Sequence, residues 1–242
     1  MTNILDYHVW TLIFEYLNYE EQINVIKSAK QFDMLGKYIT RYEVTNEYLE
    51  DVLRTYPNIT TLVYQHRKLM NTKMLSNLTT LNCCGCINVD FSNLNNLTSL
   101  NCSKCHYLTN FEKLTNLTIL DCCDCIHVDI KNLTNLKTLK CSRCVNVFGI
   151  EEITSLTNLE CRSCNKIENI NTLINLTYLD CSKCHNINGI DKLTNLRTLK
   201  CEGCHKRIDV KNLIKLDDIY CLKNHVGVVG LRFLPEVYVH DY

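Results

Sequence analysis

Cysteine is the residue whose type and spacing in this chain most invite chemistry. The chain has 242 residues and 17 cysteines. All of them lie at or after Cys83, and most fall into Cys-Xaa-Xaa-Cys pairs: Cys83 with Cys86, Cys102 with Cys105, Cys122 with Cys125, Cys141 with Cys144, Cys161 with Cys164, Cys181 with Cys184 and Cys201 with Cys204. Two thiolates at this spacing are common structural zinc ligands. Three pairs are followed by histidine, at His106, His185 and His205, which is the arrangement that attaches haem in c-type cytochromes. A disulfide framework is the third use that cysteines in such number suggest.

The context of the pairs weakens each of these chemistries. The pair persists without histidine in Cys86-Ile87, Cys144-Val145 and Cys164-Asn165, so histidine is a variable neighbour and not part of the unit. Haem attachment requires export, and Met1-Thr2-Asn3-Ile4-Leu5-Asp6 has neither the basic nor the apolar region of a signal peptide. The chain therefore reads as intracellular, with the cytoplasm as the expected compartment and reduced thiols as the expected state. Zinc sites usually join two Cys-Xaa-Xaa-Cys knuckles, whereas here the pair repeats down the chain. A small buried thiol is a satisfactory core residue with a weak donor for turn carbonyls, so the pairs read as a structural ladder, with no metal and no cofactor expected. Cys84 and Cys123 lie outside the pairs and are the thiols expected to be exposed and to react first. Neither has a fixed histidine or acid beside it in sequence, so neither reads as catalytic.

The elements that hold the pairs follow from their period. Cys83, Cys102, Cys122, Cys141, Cys161, Cys181, Cys201 and Cys221 recur every 19 or 20 residues, which is the signature of a solenoid. Asn224 takes the second cysteine place in the last unit. Leucines precede each pair in step, as Leu173, Leu176 and Leu179 precede Cys181, giving the unit LxxLxxLxCxxCxxIxxI. Around each first cysteine the pattern alternates as a strand does, with Leu179 and Cys181 inward and Tyr178, Asp180 and Ser182 outward. Ile187, Ile190 and Leu193 close the back of the turn. The shorter units save one position there, at Val89-Asp90-Phe91 and Val128-Asp129-Ile130, so the back is too short for long helices. A degenerate unit precedes these, with Tyr56, Ile59 and Leu62 in the leucine places and Tyr64 and Arg67 in the cysteine places. Nine rungs at ~4.8 Å per parallel strand span roughly 38 Å and share one core that no single unit could bury.

This unit resembles the leucine-rich repeat in its cysteine-containing form, matching at Leu176, Leu179, Cys184 and Ile187, with Cys181 where leucine is usual. The resemblance implies an α/β solenoid: a leucine-rich-repeat horseshoe of short parallel strands that binds a protein on its concave sheet. The outward residues that would form that face are Asp121, Lys140, Glu160, Arg162, Tyr178, Asp180, Lys200 and Glu202. Their mixed signs favour a protein partner recognised by charge pattern. The whole chain balances 26 basic against 26 acidic side chains, which gives no electrostatic footprint for nucleic acid or for an anionic membrane. No run approaches the ~20 apolar residues of a membrane span. A phosphate-cradling glycine loop and a His-Glu-Xaa-Xaa-His motif are both missing, so a non-catalytic role is expected.

The segment before the repeats has a different periodicity. Val9, Ile13, Phe14 and Leu17 share one helical face, Asn18 to Glu21 breaks it, and Ile23, Ile26 and Phe32 continue with helical spacing to Gly36. With Leu5, these residues resemble the F-box, a three-helix motif, with Glu21 in its acidic position and Asp6 where the motif has proline. An aspartate there is a reasonable helix cap. The pairing of F-box and leucine-rich repeats implies a substrate receptor of an SCF-type ubiquitin ligase. In that architecture Leu5, Val9, Ile13, Phe14, Leu17, Ile23, Ile26 and Phe32 would dock a Skp-type adaptor, and the repeats would hold an unidentified target protein. The chain is expected to be a monomer outside that complex. The alternative is that the helices only cap the open edge of a scaffold with no ubiquitin connection.

The expected organisation is thus a small three-helix F-box-like bundle over 1–45, the solenoid over 46–225 and a C-terminal cap over 226–242. Arg41 to Val44 reads as a strand and Thr45 to Leu53 as a helix stopped by Pro57. Pro235 and the alternation of Val237 and Val239 mark the cap.

Overall fold

The computed structural model describes Glu21 and residues 41–44, 58–64, 72–221, 227–234 and 238–241. The adaptor-docking residues expected at Leu5, Val9, Ile13, Phe14, Leu17, Ile23, Ile26 and Phe32 lie outside these, as do the helix expected over Thr45 to Leu53 and the repeat positions Tyr56, Arg67 and Asn224.

Among the described residues the chain forms an eleven-stranded parallel sheet whose strands follow one another in sequence order. The rungs of the central repeats are three residues long: Thr80–Asn82, Ser99–Asn101, Ile119–Asp121, Thr138–Lys140, Asn158–Glu160, Tyr178–Asp180 and Thr198–Lys200. The pairing is in register without slippage, so Leu159 lies between Leu139 and Leu179, and Glu160 between Lys140 and Asp180. The middle leucine of each rung is inward and inaccessible, from Leu81 to Leu199. Each such side chain contributes about 1.5–3 kcal/mol by leaving water. With the leucines before the strand, the first and second cysteines and the back-side isoleucines, they form one continuous core.

The Cys-Xaa-Xaa-Cys turn bends the chain off the sheet. Its third residue takes a left-handed conformation in every repeat, at Gly85, Lys104, Asp124, Arg143, Ser163, Lys183 and Gly203. That conformation points the residue's N–H along the stack, where Lys104 donates to the Cys123 carbonyl at 2.7 Å and Lys183 to that of Glu202 at 2.7 Å. Backbone groups that a tight turn would strand are thereby paired with the next rung.

The back of the solenoid is made of short 3-10 turns, such as Phe111–Lys113, Ile150–Glu152 and Ile190–Lys192, and of two-stranded pairs such as Ile87–Asp90 with His106–Thr109. The described repeats hold no α-helix, so the solenoid is a stack of strands and 3-10 turns and not an α/β one. A 19–20-residue circuit that spends a strand and two turns leaves too few residues for helical turns at ~1.5 Å rise each.

The ends also differ from expectation. Arg41–Val44 is a strand, but it pairs with Thr61–Tyr64 as part of the main sheet, so a boundary at residue 45 falls behind the sheet's first strand. At the far end Tyr238–Asp241 pairs with Asp218–Cys221, and Val228–Val229 pairs with Ile208–Asp209. The described part of the terminal segment therefore continues the solenoid by another rung, although its sequence has lost the leucine and cysteine period.

Candidate functional site

The outer face of the sheet is built from two side chains per strand and one from each turn. Because the register is exact from rung to rung, these align in columns. The strand-end column runs Asn82, Asn101, Asp121, Lys140, Glu160, Asp180, Lys200 and Tyr220. The turn column beside it runs Cys84, Ser103, Cys123, Ser142, Arg162, Ser182 and Glu202. Seven of the eight residues expected on this face fall in these two columns and Tyr178 opens its strand; across rungs the structure pairs Lys140 with Glu160, Arg162 with Asp180 and Lys200 with Tyr178. Lys140 Nζ is 3.0 Å from a carboxylate oxygen of Glu160, a half-exposed pair of the kind that contributes about 0–1 kcal/mol.

Asp180 departs from the expectation of a solvated contact residue. It is only 4% exposed. Its Oδ1 accepts the Ser182 hydroxyl at 2.7 Å and the Ser182 N–H at 3.1 Å, and Arg162 lies 3.8 Å from its other oxygen. A buried carboxylate is tolerated when hydrogen bonds and a cation replace water, so Asp180 positions Ser182 and Arg162 and does not itself meet a partner. Asn101, Ser103 and Asp121 form a similar group, with the Ser103 hydroxyl donating to either side-chain oxygen at 2.7 Å.

The most differentiated part of the face lies in the last repeats. Lys200 Nζ sits 5.6 Å from the ring centre of Tyr178 and 4.9 Å from that of Tyr220, within the range of a cation–π contact. Arg162, Ser182, Lys200, Glu202 and Tyr220 line a depression of about 180 Å³ here. Tyr220 was not among the residues singled out from the sequence. Its signal was available, since it occupies the Lys200 position one period later.

The cysteines form two columns at the edge of this face. In each of six rungs the second thiol donates to the carbonyl of the preceding rung's first cysteine: Cys105 to Cys83 at 3.0 Å, Cys125 to Cys102 at 3.1 Å, Cys144 to Cys122, Cys164 to Cys141 and Cys184 to Cys161 at 2.9 Å, and Cys204 to Cys181 at 3.1 Å. Contact with these neighbouring thiols, together with burial, holds the first-column thiols well above the ordinary cysteine range. The same contacts pull the second-column thiols Cys125, Cys164, Cys184 and Cys204 below the ordinary range, so within each hydrogen-bonded pair the deeper thiol is the one held neutral. Among the described residues no three His, Cys, Asp or Glu side chains converge as a metal site. Cys84 is exposed, as expected of a reactive thiol, although partial burial raises its pKa. Cys123 is a correction: it is half-buried, and burial followed by the Asp121 carboxylate pushes it up to about 12. It stays protonated and poorly nucleophilic at neutral pH.

A second ladder escaped the sequence reading. Asn96, Asn116, Asn135, Asn175 and Asn195 each donate a side-chain N–H to a carbonyl of the preceding rung at 2.8–3.0 Å. Next to them Thr98, Thr118 and Thr177 donate their hydroxyls in the same direction. The signal was the recurring Leu-Xaa-Asn-Leu-Thr segment.

No family model matches the sequence, and no curated protein does. Solved structures do. The functional domain of InlJ from Listeria monocytogenes, described as including a cysteine ladder, superposes with a TM-score of 0.63 at 27% identity, over 78% of this chain and 45% of that one. An internalin of the same organism, InlF, gives 0.61 at 18% identity over 79% and 70%. A leucine-rich-repeat protein of Leptospira interrogans gives 0.62 at 17% identity over 83% and 58%. The fold is thus a parallel-strand solenoid like those of leucine-rich-repeat proteins. The chain spans less than half the length of the InlJ chain. Among the described residues no helix is long and apolar enough to cross a membrane.

Proposed function

We propose that this protein is a non-catalytic interaction module that recognises a partner protein through the outer face of its sheet, centred on Lys200 between Tyr178 and Tyr220. The observation that carries the reading is that triad with Arg162 and Glu202 at its rim. Tyrosine and arginine are the side chains most enriched where binding energy concentrates, because they bring large area at low entropic cost. The mixed charge of the column, Asp121, Lys140, Glu160, Arg162, Lys200 and Glu202, suits selection among protein partners by complementary pattern.

Within that reading the chain serves as a substrate receptor of an SCF-type ubiquitin ligase. The support is the F-box-like pattern from Leu5 to Phe32 ahead of the repeats. The adaptor would sit at one end and the target on the sheet, with the solenoid setting the distance between them, and the work would take place inside the cell. The competing reading is a leucine-rich-repeat scaffold without an adaptor, and the likeness to internalin solenoids is the observation that favours it. Binding of the purified chain to a Skp-type adaptor separates the two. Saturable binding that is lost on Ile13→Asp plus Leu17→Asp supports the receptor. A folded chain that does not bind leaves the scaffold.

A further inference from the structure

The chain's own repeat consensus identifies a second surface. At the position just before each strand the residue is usually threonine, as in Thr79, Thr98, Thr118, Thr157 and Thr177, and two residues earlier it is usually asparagine, as in Asn96, Asn116, Asn175 and Asn195. Three cations break these two columns, all in the later repeats: Lys137 and Arg197 in the threonine place and Lys215 in the asparagine place. Ser155 also replaces an asparagine, leaving a smaller side chain between them. The result is an open groove of about 540 Å³ along the strand starts, lined entirely by polar residues, with Lys137 at one end and Arg197 and Lys215 at the other.

The hydrogen bonding of the groove limits what can fill it. In its middle one donor of each side chain is already committed. Ser155 Oγ donates to the Leu136 carbonyl at 2.6 Å, Asn175 Nδ2 to that of Thr154 at 2.9 Å, and Thr177 Oγ1 to that of Thr157 at 3.2 Å. What these side chains leave open are mostly acceptors, Asn175 Oδ1 and the hydroxyl lone pairs, beside the second Nδ2–H of Asn175. The charged donors are at the ends. Lys137 Nζ has no hydrogen bond or ion pair among the described residues. Lys215 Nζ is oriented by Asn195 Oδ1 at 2.7 Å. Arg197 is 3.1 Å from Asp217, but both side chains are about three-fifths exposed, so a ligand carboxylate can exchange for Asp217 in water. The cations outnumber Asp217, in a chain whose formal charge is zero.

We infer that this groove binds an extended acidic peptide of a partner protein, with two carboxylates about four residues apart and an uncharged stretch between them. Lys137 and Arg197 are three rungs apart, about 14 Å at ~4.8 Å per rung, and four residues of extended chain at ~3.4 Å each cover the same distance with both side chains on one face. Peptide N–H groups match the acceptors that predominate in the middle of the groove, and a peptide carbonyl can take the remaining Asn175 N–H. A continuous polyanion such as nucleic acid or a sulfated glycan would instead lay charge against acceptor oxygens there. This surface is separate from the sheet face around Lys200.

The test is fluorescence anisotropy of the whole chain with labelled dodecapeptides. Each carries two glutamates in a Ser/Thr/Gly background, and their separation varies from adjacent to eight residues. Affinity is expected to peak at a separation of four. Lys137→Gln and Lys215→Gln should each weaken the best peptide about fivefold or more, while Lys166→Gln, at an exposed site outside the groove, should leave it unchanged. The inference is overturned by the absence of saturation up to about 1 mM, the weakest affinity such contacts should give. It is equally overturned by affinity that does not depend on spacing, or by an oligonucleotide or sulfated oligosaccharide of equal charge binding more tightly than the best peptide.

Discussion

The Cys141 carbonyl oxygen accepts two hydrogen bonds, one from the Cys144 N–H of its own turn at 3.1 Å and one from the Cys164 thiol of the next rung at 2.9 Å. The first bond closes the turn and the second ties it to its neighbour. The spacing of the pair is thus explained without a metal: one cysteine supplies the carbonyl and fills the core, and the next rung's second cysteine reaches back to it. Removing the thiol with Cys164→Ala should cost about 1–3 kcal/mol, from a small cavity and a lost bond. Chemical denaturation of the variant measures this, and a change below about 0.5 kcal/mol would mean that the ladder does not hold the rungs together.

The same ladder predicts a net loss of stability in alkali. The first-column thiols are held above their ordinary range in the fold, by contact with the neighbouring thiols and by burial. In the unfolded chain they ionise near pH ~8.5. Their contribution is therefore fully present below that pH and is lost as pH rises toward the folded values, by up to ~1.4 kcal/mol per pH unit for each thiol, while the second-column thiols Cys125, Cys164, Cys184 and Cys204, held below the ordinary range by the same contacts, offset part of that loss. Melting temperature should be flat in thiol-reducing buffer from pH 6.5 to 8 and fall from pH 8.5 to 10, because the first-column thiols are also raised by burial. A flat profile through pH 10 would show that the raised column does not outweigh the lowered one.

Leu139 is fully inaccessible in the middle of a rung. Leu139→Asp should abolish cooperative unfolding, because an unpaired buried charge costs several kcal/mol and both neighbouring rungs depend on this contact. Circular dichroism and thermal melts decide it. A normal melt would show the strand register to be wrong.

Gly189 has φ +85°, and a Cβ there would lie 2.7 Å from the Asn171 backbone nitrogen. Gly189→Ala should destabilise the protein by about 1–3 kcal/mol through strain and displacement of the preceding rung. Gly85 also has a positive φ but open space around it, so Gly85→Ala should cost less. Equal losses at the two sites would assign the effect to φ alone.

The core was legible because its residues repeat. Leu179, Cys181, Cys184 and Ile187 each do one job in every rung, and a job repeated in phase is visible without coordinates. What was hidden depended on contacts between rungs. The sequence pattern does not mark Asp180 as buried: the Ser182 bonds are local, but the Arg162 contact comes from one rung back. The outward position of Cys123 suggested a reactive thiol, but Asp121 and the walls of its turn keep it protonated. The last strand, Tyr238–Asp241, was obscured because it pairs through backbone groups, which any side chain permits, while its leucine and cysteine positions have diverged. The short back was legible from the 19–20-residue period, which leaves no room for long helices.

The central claim is that the sheet face around Lys200 recognises a partner protein. Its direct test is quantitative affinity capture from cell extract with the full chain and with the combined variant Tyr178→Ala, Lys200→Glu and Tyr220→Ala. An Ile174→Ser variant, altered at an exposed site off that face, serves as control, and all three chains are first checked for equal melting temperature. The account predicts at least one protein retained by the parent chain and the control and lost from the combined variant, with direct binding confirmed on the purified pair. The same proteins captured by all three chains would contradict it.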